Sequence, residues 1–262
     1  MEFLGYILLI FIGIVLSLIG GGGSILSIPI LVYVFSLDVI TASSYSLFIV
    51  GTTSLIGAWL KQKEHRMDIR AGLIFSICSA AAIFSTRKWI IPRIPDEFLV
   101  GDLTITKHFL IMALFALLAV GSALTVLLKS ESSETKGGQA RLSLLAPAGF
   151  GTGMLVGMVG AGGGFLVLPS LTLFAGLPFK LALGTTLAII GINSLIGFLG
   201  DAMNYDINWM FLLMITCLSS LGMLVGNFVS RRANALHLRK SFGWIVLTIA
   251  ICVLFVELAT TT

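Results

Sequence analysis

Apolar residues run along this chain in long blocks, and short polar breaks separate them at 3–36, 39–60, 71–91, 108–128, 143–175, 181–199, 207–230 and 241–260. Most blocks are close to the roughly 20 residues that cross a bilayer as a helix. Two of them, 3–36 and 143–175, are too long for one ordinary crossing, and each is split by glycines, at 20–23 and 160–164. Each therefore predicts two half-helices. None of the blocks reads as the alternating strand of a β-barrel. The first lacks the basic start and small-residue cleavage site of a signal peptide, so it reads as mature structure.

The two long blocks are copies of each other. Residues 13–57 laid on 153–197 without a gap match at 16 of 45 positions. Gly20, Gly22, Gly23, Pro29, Gly51 and Ser54-Leu55-Ile56-Gly57 fall on Gly160, Gly162, Gly163, Pro169, Gly191 and Ser194-Leu195-Ile196-Gly197. The chain is an internal duplication. Interrupted hydrophobic segments at corresponding places in two halves point to a substrate site between the repeats of a membrane transporter.

Charge distribution selects a topology, because Lys and Arg accumulate in cytoplasmic loops. With eight single crossings the sixteen basic residues show no bias. With both long blocks as re-entrant hairpins, twelve of the sixteen fall inside, and only Arg87, Lys88, Arg93 and Lys107 stay outside. The loop at 61–70 is then inside and its counterpart at 199–206, which carries Asp201 and Asp206, outside. The expected fold is thus an all-α integral membrane protein of two inverted repeats. Each repeat has a Gly-broken, re-entrant helical hairpin followed by three transmembrane helices. Repeat one takes 1–128 and repeat two 143–262. The polar stretch 129–142 reads as a cytoplasmic linker, and 93–107, which follows Pro92 and holds Pro95, Asp96, Glu97 and Asp102, as an exposed loop insertion.

Composition agrees. The chain is 57% hydrophobic and only 11% charged, with a mean hydropathy of +1.07, whereas a soluble domain carries about a quarter charged residues. The net charge of +4 comes from the predicted cytoplasmic loops and gives no support to nucleic-acid binding.

The glycine runs carry the most chemistry. A helix broken inside a membrane exposes N–H and C=O groups, tolerated there only where they line protein or a water-filled cavity. Gly21, Gly22, Gly23 and Ser24 in half one, and Gly162, Gly163 and Gly164 in half two, would open half-helices whose positive ends attract an anion. Gly149, Gly153 and Gly157 instead sit at the four-residue spacing of a helix-packing face. The helix after each hairpin starts polar. Half one offers Ser44 and Ser46, with Thr53 further on, and half two Thr185 and Thr186, with Asn193 further on. Hydroxyls and amides bind anions without fixed charge, although each Ser or Thr has an equal claim to bond its own helix carbonyls. Arg87 and Lys88 read as interface anchors at the end of a span, and Lys180 and Asp38 as groups at the membrane edge.

Cys78, Cys217 and Cys252 show no redox or zinc spacing and read as small core residues. His65, His108 and His237 form no cluster, so no metal site is expected. Nucleotide and hydrolase signatures are absent. No enzyme activity and no cofactor are expected.

The pattern of an apolar helix, a Gly-rich break, a proline several residues on and a polar helix start, present twice, resembles the TauE/SafE family of sulfite and organosulfur anion exporters. Gly160-Ala161-Gly162-Gly163-Gly164, Pro169 and Gly184-Thr185-Thr186 carry the likeness best, while Ser44-Tyr45-Ser46 departs from it. The resemblance implies a secondary transporter moving small sulfur-containing anions such as sulfite or sulfonates, mostly outward, across the inner membrane. Alternating access would work around a midplane site between the two breaks, with coupling to protons or another ion. Two other readings stay open: a membrane-embedded thiol relay or assembly protein using Cys78 and Cys217, and a passive anion channel. The partners expected are a small anion and the lipid bilayer, and the oligomeric state is open.

Overall fold

The computed structural model of this chain describes residues 2–19, 24–63, 67–95, 97–100, 103–128, 142–160, 163–230 and 235–261. They form ten α-helices and one short β-hairpin. In the first half these are α1 (Glu2–Ile19), α2 (Ser24–Pro29), α3 (Val39–Gln62), α4 (Ile69–Ser85) and α5 (Lys107–Leu128). The second half holds α6 (Leu142–Val159), α7 (Gly164–Leu173), α8 (Phe179–Ala202), α9 (Trp209–Ser230) and α10 (Ala235–Thr261). Among the described residues, five helical segments are long and apolar enough to cross a membrane: Val39–Gln62, Ile69–Arg93, Lys107–Thr125, Leu181–Ala202 and Trp209–Val229.

Local chemistry sets several boundaries. Asp38 caps α3 by accepting from the Ile40 N–H at 3.0 Å, and Asp68 caps α4 by accepting from the Ala71 N–H at 3.0 Å. Pro29 ends α2 and hands over to a π-helical turn at Ile30–Val34, since proline has no N–H for the α ladder. The segment predicted as a loop insertion contains β1 (Glu97–Val100) paired antiparallel with β2 (Leu103–Thr106), Glu97 lying opposite Thr106. Its aromatic and β-branched residues favour that pairing over open loop. Of the predicted linker 129–142, all but Leu142 lies outside the described residues.

Both long blocks fold back on themselves. The Thr152 hydroxyl on α6 meets the Ser170 hydroxyl on α7 at 3.2 Å. Eighteen residues of unbroken helix would hold them about 27 Å apart. In the first block the Tyr6 ring stands 5.7 Å from Phe35, so the arm after the first glycine run returns to the level at which α1 began.

Packing is mutual between the halves: α1 lies on α9, α3 on α8, α4 on α6 and α5 on α10. The close approaches recur at the 140-residue offset of the duplication. A Cβ on Gly51 would meet Leu195 at 2.9 Å, and one on Gly191 would meet Leu55 at 2.5 Å. Gly13 abuts the Ser219 carbonyl, and Gly153 abuts that of Ser79. The Asn208 N–H donates to the Tyr45 hydroxyl at 2.8 Å, and at the same offset the Asp68 N–H donates to the Thr185 hydroxyl at 2.9 Å. Outward faces are apolar: Met210 is 86% exposed, and Ile77, Leu117 and Phe228 are each 68% exposed. In water such a surface would be a liability, but facing acyl chains it costs nothing. Cys217 and Cys252 are exposed and Cys78 half-buried, so they are not the core residues that their apolar surroundings suggested.

Candidate functional site

Arg87, which reads from sequence as an interface anchor, is in fact buried at 1% exposure. The C-terminal extension of α4 brings it to the end of α8, where its Nη1 donates to Asp201 Oδ2 at 2.9 Å and to the Ser43 hydroxyl at 2.9 Å. Ser44, at the start of α3, donates to the same carboxylate oxygen at 2.5 Å. Asp201 is fully buried. Two opposite charges removed from water hold together only with good geometry and further hydrogen bonds, and the two serines supply these. Among the described residues Arg87 Nε and Nη2 and Asp201 Oδ1 nevertheless have no hydrogen-bond partner.

The second glycine break lies against this cluster. Gly160 has φ +76° and Gly163 φ +71°, the left-handed region where a side chain is disfavoured. A Cβ on Gly160 would come 1.8 Å from Arg87 Nη2 and 2.5 Å from the Ser43 Cβ. The break of half two therefore faces the polar helix start of half one. Gly163 is the N-terminal flank of α7, and Gly164, buried, is its first residue.

Of the other predicted residues, Ser46 lies near the start of α3, two residues from Ser44, and the rest that are described divide between the middle and the far end of the α3–α8 pair. Asn193, 1% exposed, donates from Nδ2 to the Ser79 hydroxyl at 2.6 Å, and its Oδ1 has no partner among the described residues. Thr53 bonds back to the Ile49 and Val50 carbonyls, and Ser46 meets Ser27. Thr185 donates to the Leu181 carbonyl while accepting from Asp68. Thr186 is fully buried, with no partner for its hydroxyl among the described residues. It stands fifteen residues before Asp201 on one helix, which is about 22 Å. Thus Ser44 and Thr186 do not share one pocket. At the far end Leu16 of α1 packs with Ala58, Leu187 and Met223. Gly21, Gly22, Gly23 and Gly162 lie outside the described residues, as does the Ser24 side chain. At the far end the offset partners of Asp201 and Arg87 are Lys61 and Asn227, both buried.

The Arg87–Asp201 pair escaped the sequence reading because each residue sits at the edge of an apolar block, where snorkelling explains a charge. The available signal was the offset, since Lys61 and Asn227 put polar residues at the same two places in the other repeat. Cys78 packs towards Gly149 of α6, whereas Cys217 is exposed on α9, so the structure does not bring the two thiols together. Among the described residues no group of three or more His, Cys, Asp or Glu is placed to hold a metal. A cavity of about 520 Å³ lined by Trp59, Gln62, Lys63, Met67 and Ile69 contains none of the predicted site residues.

Long lipid-facing helices around an interior with a few buried polar groups and broken helices define a multi-pass membrane transporter rather than an enzyme. The chain belongs to the sulfite exporter TauE/SafE family, whose model matches residues 6–253. It is 29% identical over 252 residues to a probable membrane transporter protein of Xylella fastidiosa, covering 93% of this chain and 91% of that one. A probable membrane transporter of Bacillus subtilis is 28% identical over 182 residues, 68% of this chain and 70% of that one. One from Methanocaldococcus jannaschii is 38% identical over 120 residues, 42% of this chain and 43% of that one. No solved structure gives a significant match.

Proposed function

We propose that this transporter moves small sulfur-containing anions, sulfite or sulfonates, out of the cell across the inner membrane as a secondary carrier coupled to protons or another ion. Its two repeats, 1–128 and 143–262, are inverted copies joined by a cytoplasmic linker. The paired contacts at the 140-residue offset support this arrangement, as does the charge bias that places Arg87 and Asp201 on the outer side. Each Gly-broken hairpin re-enters the membrane rather than crossing it. The substrate path runs along α8 between the two breaks, from the Ser43–Ser44 cluster past Asn193 to Thr186, and access alternates between its ends.

The observation that carries the reading is the second break seated on a polar cluster within an apolar helical interior. Left-handed Gly160 leaves room there for the Arg87 guanidinium, and the groups beside it have unused hydrogen-bonding capacity among the described residues. An unsatisfied buried polar atom costs about 1–3 kcal/mol, which a ligand in transit would recover.

Flux in proteoliposomes tests it. The purified protein should move sulfite or methanesulfonate against a gradient when a proton or counter-ion gradient is imposed. Dissipation of anion gradients alone, with no uphill movement, would mark a passive channel. Transport confined to carboxylates or cations would refute the substrate class.

A further inference from the structure

We propose that the Nε–Nη2 edge of Arg87 is a fork for the oxyanion group of the substrate, and that Asp201 is the positioning residue that holds the fork in place. The proposal rests on the reading of the chain as an anion carrier and gives that site its recognition residue. A guanidinium is planar and carries five N–H donors, two of them parallel along its Nε–Nη2 edge. Here Nη1 serves Ser43 and Asp201. Among the described residues the parallel edge is buried with no partner. A bidentate ion pair sets two parallel donors against both carboxylate oxygens. Instead Asp201 is contacted through Nη1 at one oxygen, Oδ2, and its Oδ1 has no hydrogen bond among the described residues.

The guanidinium is seated directly against the backbone of the second break: Nη2 lies 1.8 Å from the position a Cβ on Gly160 would occupy, so only a glycine leaves room for it there. Because Asp201 balances the guanidinium charge, recognition here depends on geometry more than on net charge. Two oxygens on one sulfur, as in sulfite or a sulfonate, match two parallel N–H groups, whereas a halide has a single centre.

Binding to the purified full-length protein tests this by calorimetry, with methanesulfonate and sulfite as probes and chloride as the comparison. Arg87→Lys keeps the charge beside Asp201 but loses the parallel donors, and should weaken both oxyanions by roughly tenfold or more while leaving chloride unchanged. The double variant Arg87→Met with Asp201→Leu removes the pair together, a change that buried ion pairs commonly tolerate, and should bind neither oxyanion. Asp201→Asn should lower the preference for methanesulfonate over chloride, which a purely structural role would leave unmoved. Oxyanion binding within about threefold of wild type in either Arg87 variant overturns the fork, since a lost bidentate contact is worth more than that. An unchanged preference in Asp201→Asn removes its positioning role. If wild type binds neither oxyanion, the fork falls together with the sulfur-anion reading. If wild type and the Arg87 variants all bind, only the fork falls.

Discussion

Gly151 and Gly153 stand two residues apart on α6 in opposite surroundings, so a single methyl at each should move stability in opposite directions. A Cβ on Gly151 meets nothing within 4 Å, whereas one on Gly153 would lie 2.5 Å from the Ser79 carbonyl oxygen and 2.7 Å from the Ser79 Cα. These are backbone atoms of α4 and cannot rotate away. Even an ordinary contact at 3.4 Å would require α6 and α4 to separate locally by about 0.9 Å. Overpacking of this kind costs about 1–3 kcal/mol. Gly151→Ala meets no such obstacle, and replacing a helical glycine by alanine gains up to about 1 kcal/mol. Denaturation of the two purified variants in detergent, followed by helical circular dichroism, should place them on opposite sides of wild type by a total of about 1–4 kcal/mol. Equal shifts, or a Gly153→Ala variant as stable as wild type, would refute the claim that this glycine stripe is a packing face.

Thr186→Val removes a buried hydroxyl that has no partner, so stability should hold or rise while substrate affinity falls by about 0.5–1.5 kcal/mol, or about 3 if the bond is to a charged group. A melting curve and a binding isotherm on the same sample check that split. Asn193→Asp should weaken anion binding more than Asn193→Leu, because a carboxylate repels the ligand, and the reverse order in measured affinities would indicate a cation path. Gly160→Ala should abolish flux in proteoliposomes with the protein still inserted, since its Cβ would displace Arg87; normal flux would separate the break from transport. Cysteines placed at Lys63 and Asn204 should label from opposite sides of the membrane, and labelling from one side would overturn the inverted arrangement.

Much of the architecture is legible in the pattern of apolar blocks, because a bilayer forces backbone groups into helices of a fixed minimum length. The predicted blocks 39–60 and 207–230 lie within a few residues of α3 and α9. The fold-back at 160–164 was legible for the same reason, since a block of that length with glycines in its middle has few alternatives. The pairing of helices was not. Gly153 announces a close contact but not its partner, and nothing local says that Ser79 of the other half fills that role. The same limit hid the cluster of Arg87, Asp201, Ser43 and Ser44, whose members come from three helices in two halves. Thr53 and Thr185 bond to their own helix carbonyls, the alternative that the sequence left equally open for each hydroxyl.

The mutual packing of the halves bears on how the protein is made. Helices α1, α3, α4 and α5 each find their main neighbour in the second half. A nascent chain that has inserted only as far as α5 therefore presents Gly13 and Gly51 to lipid, with no partner surface yet synthesised. Assembly waits for the last helix, because α10 covers α5. During that interval the first half is a set of separately inserted helices, stable against extraction yet open to membrane proteases and to mispairing with a second copy. Truncation anywhere in the second half would then lead to degradation, not to a smaller working carrier.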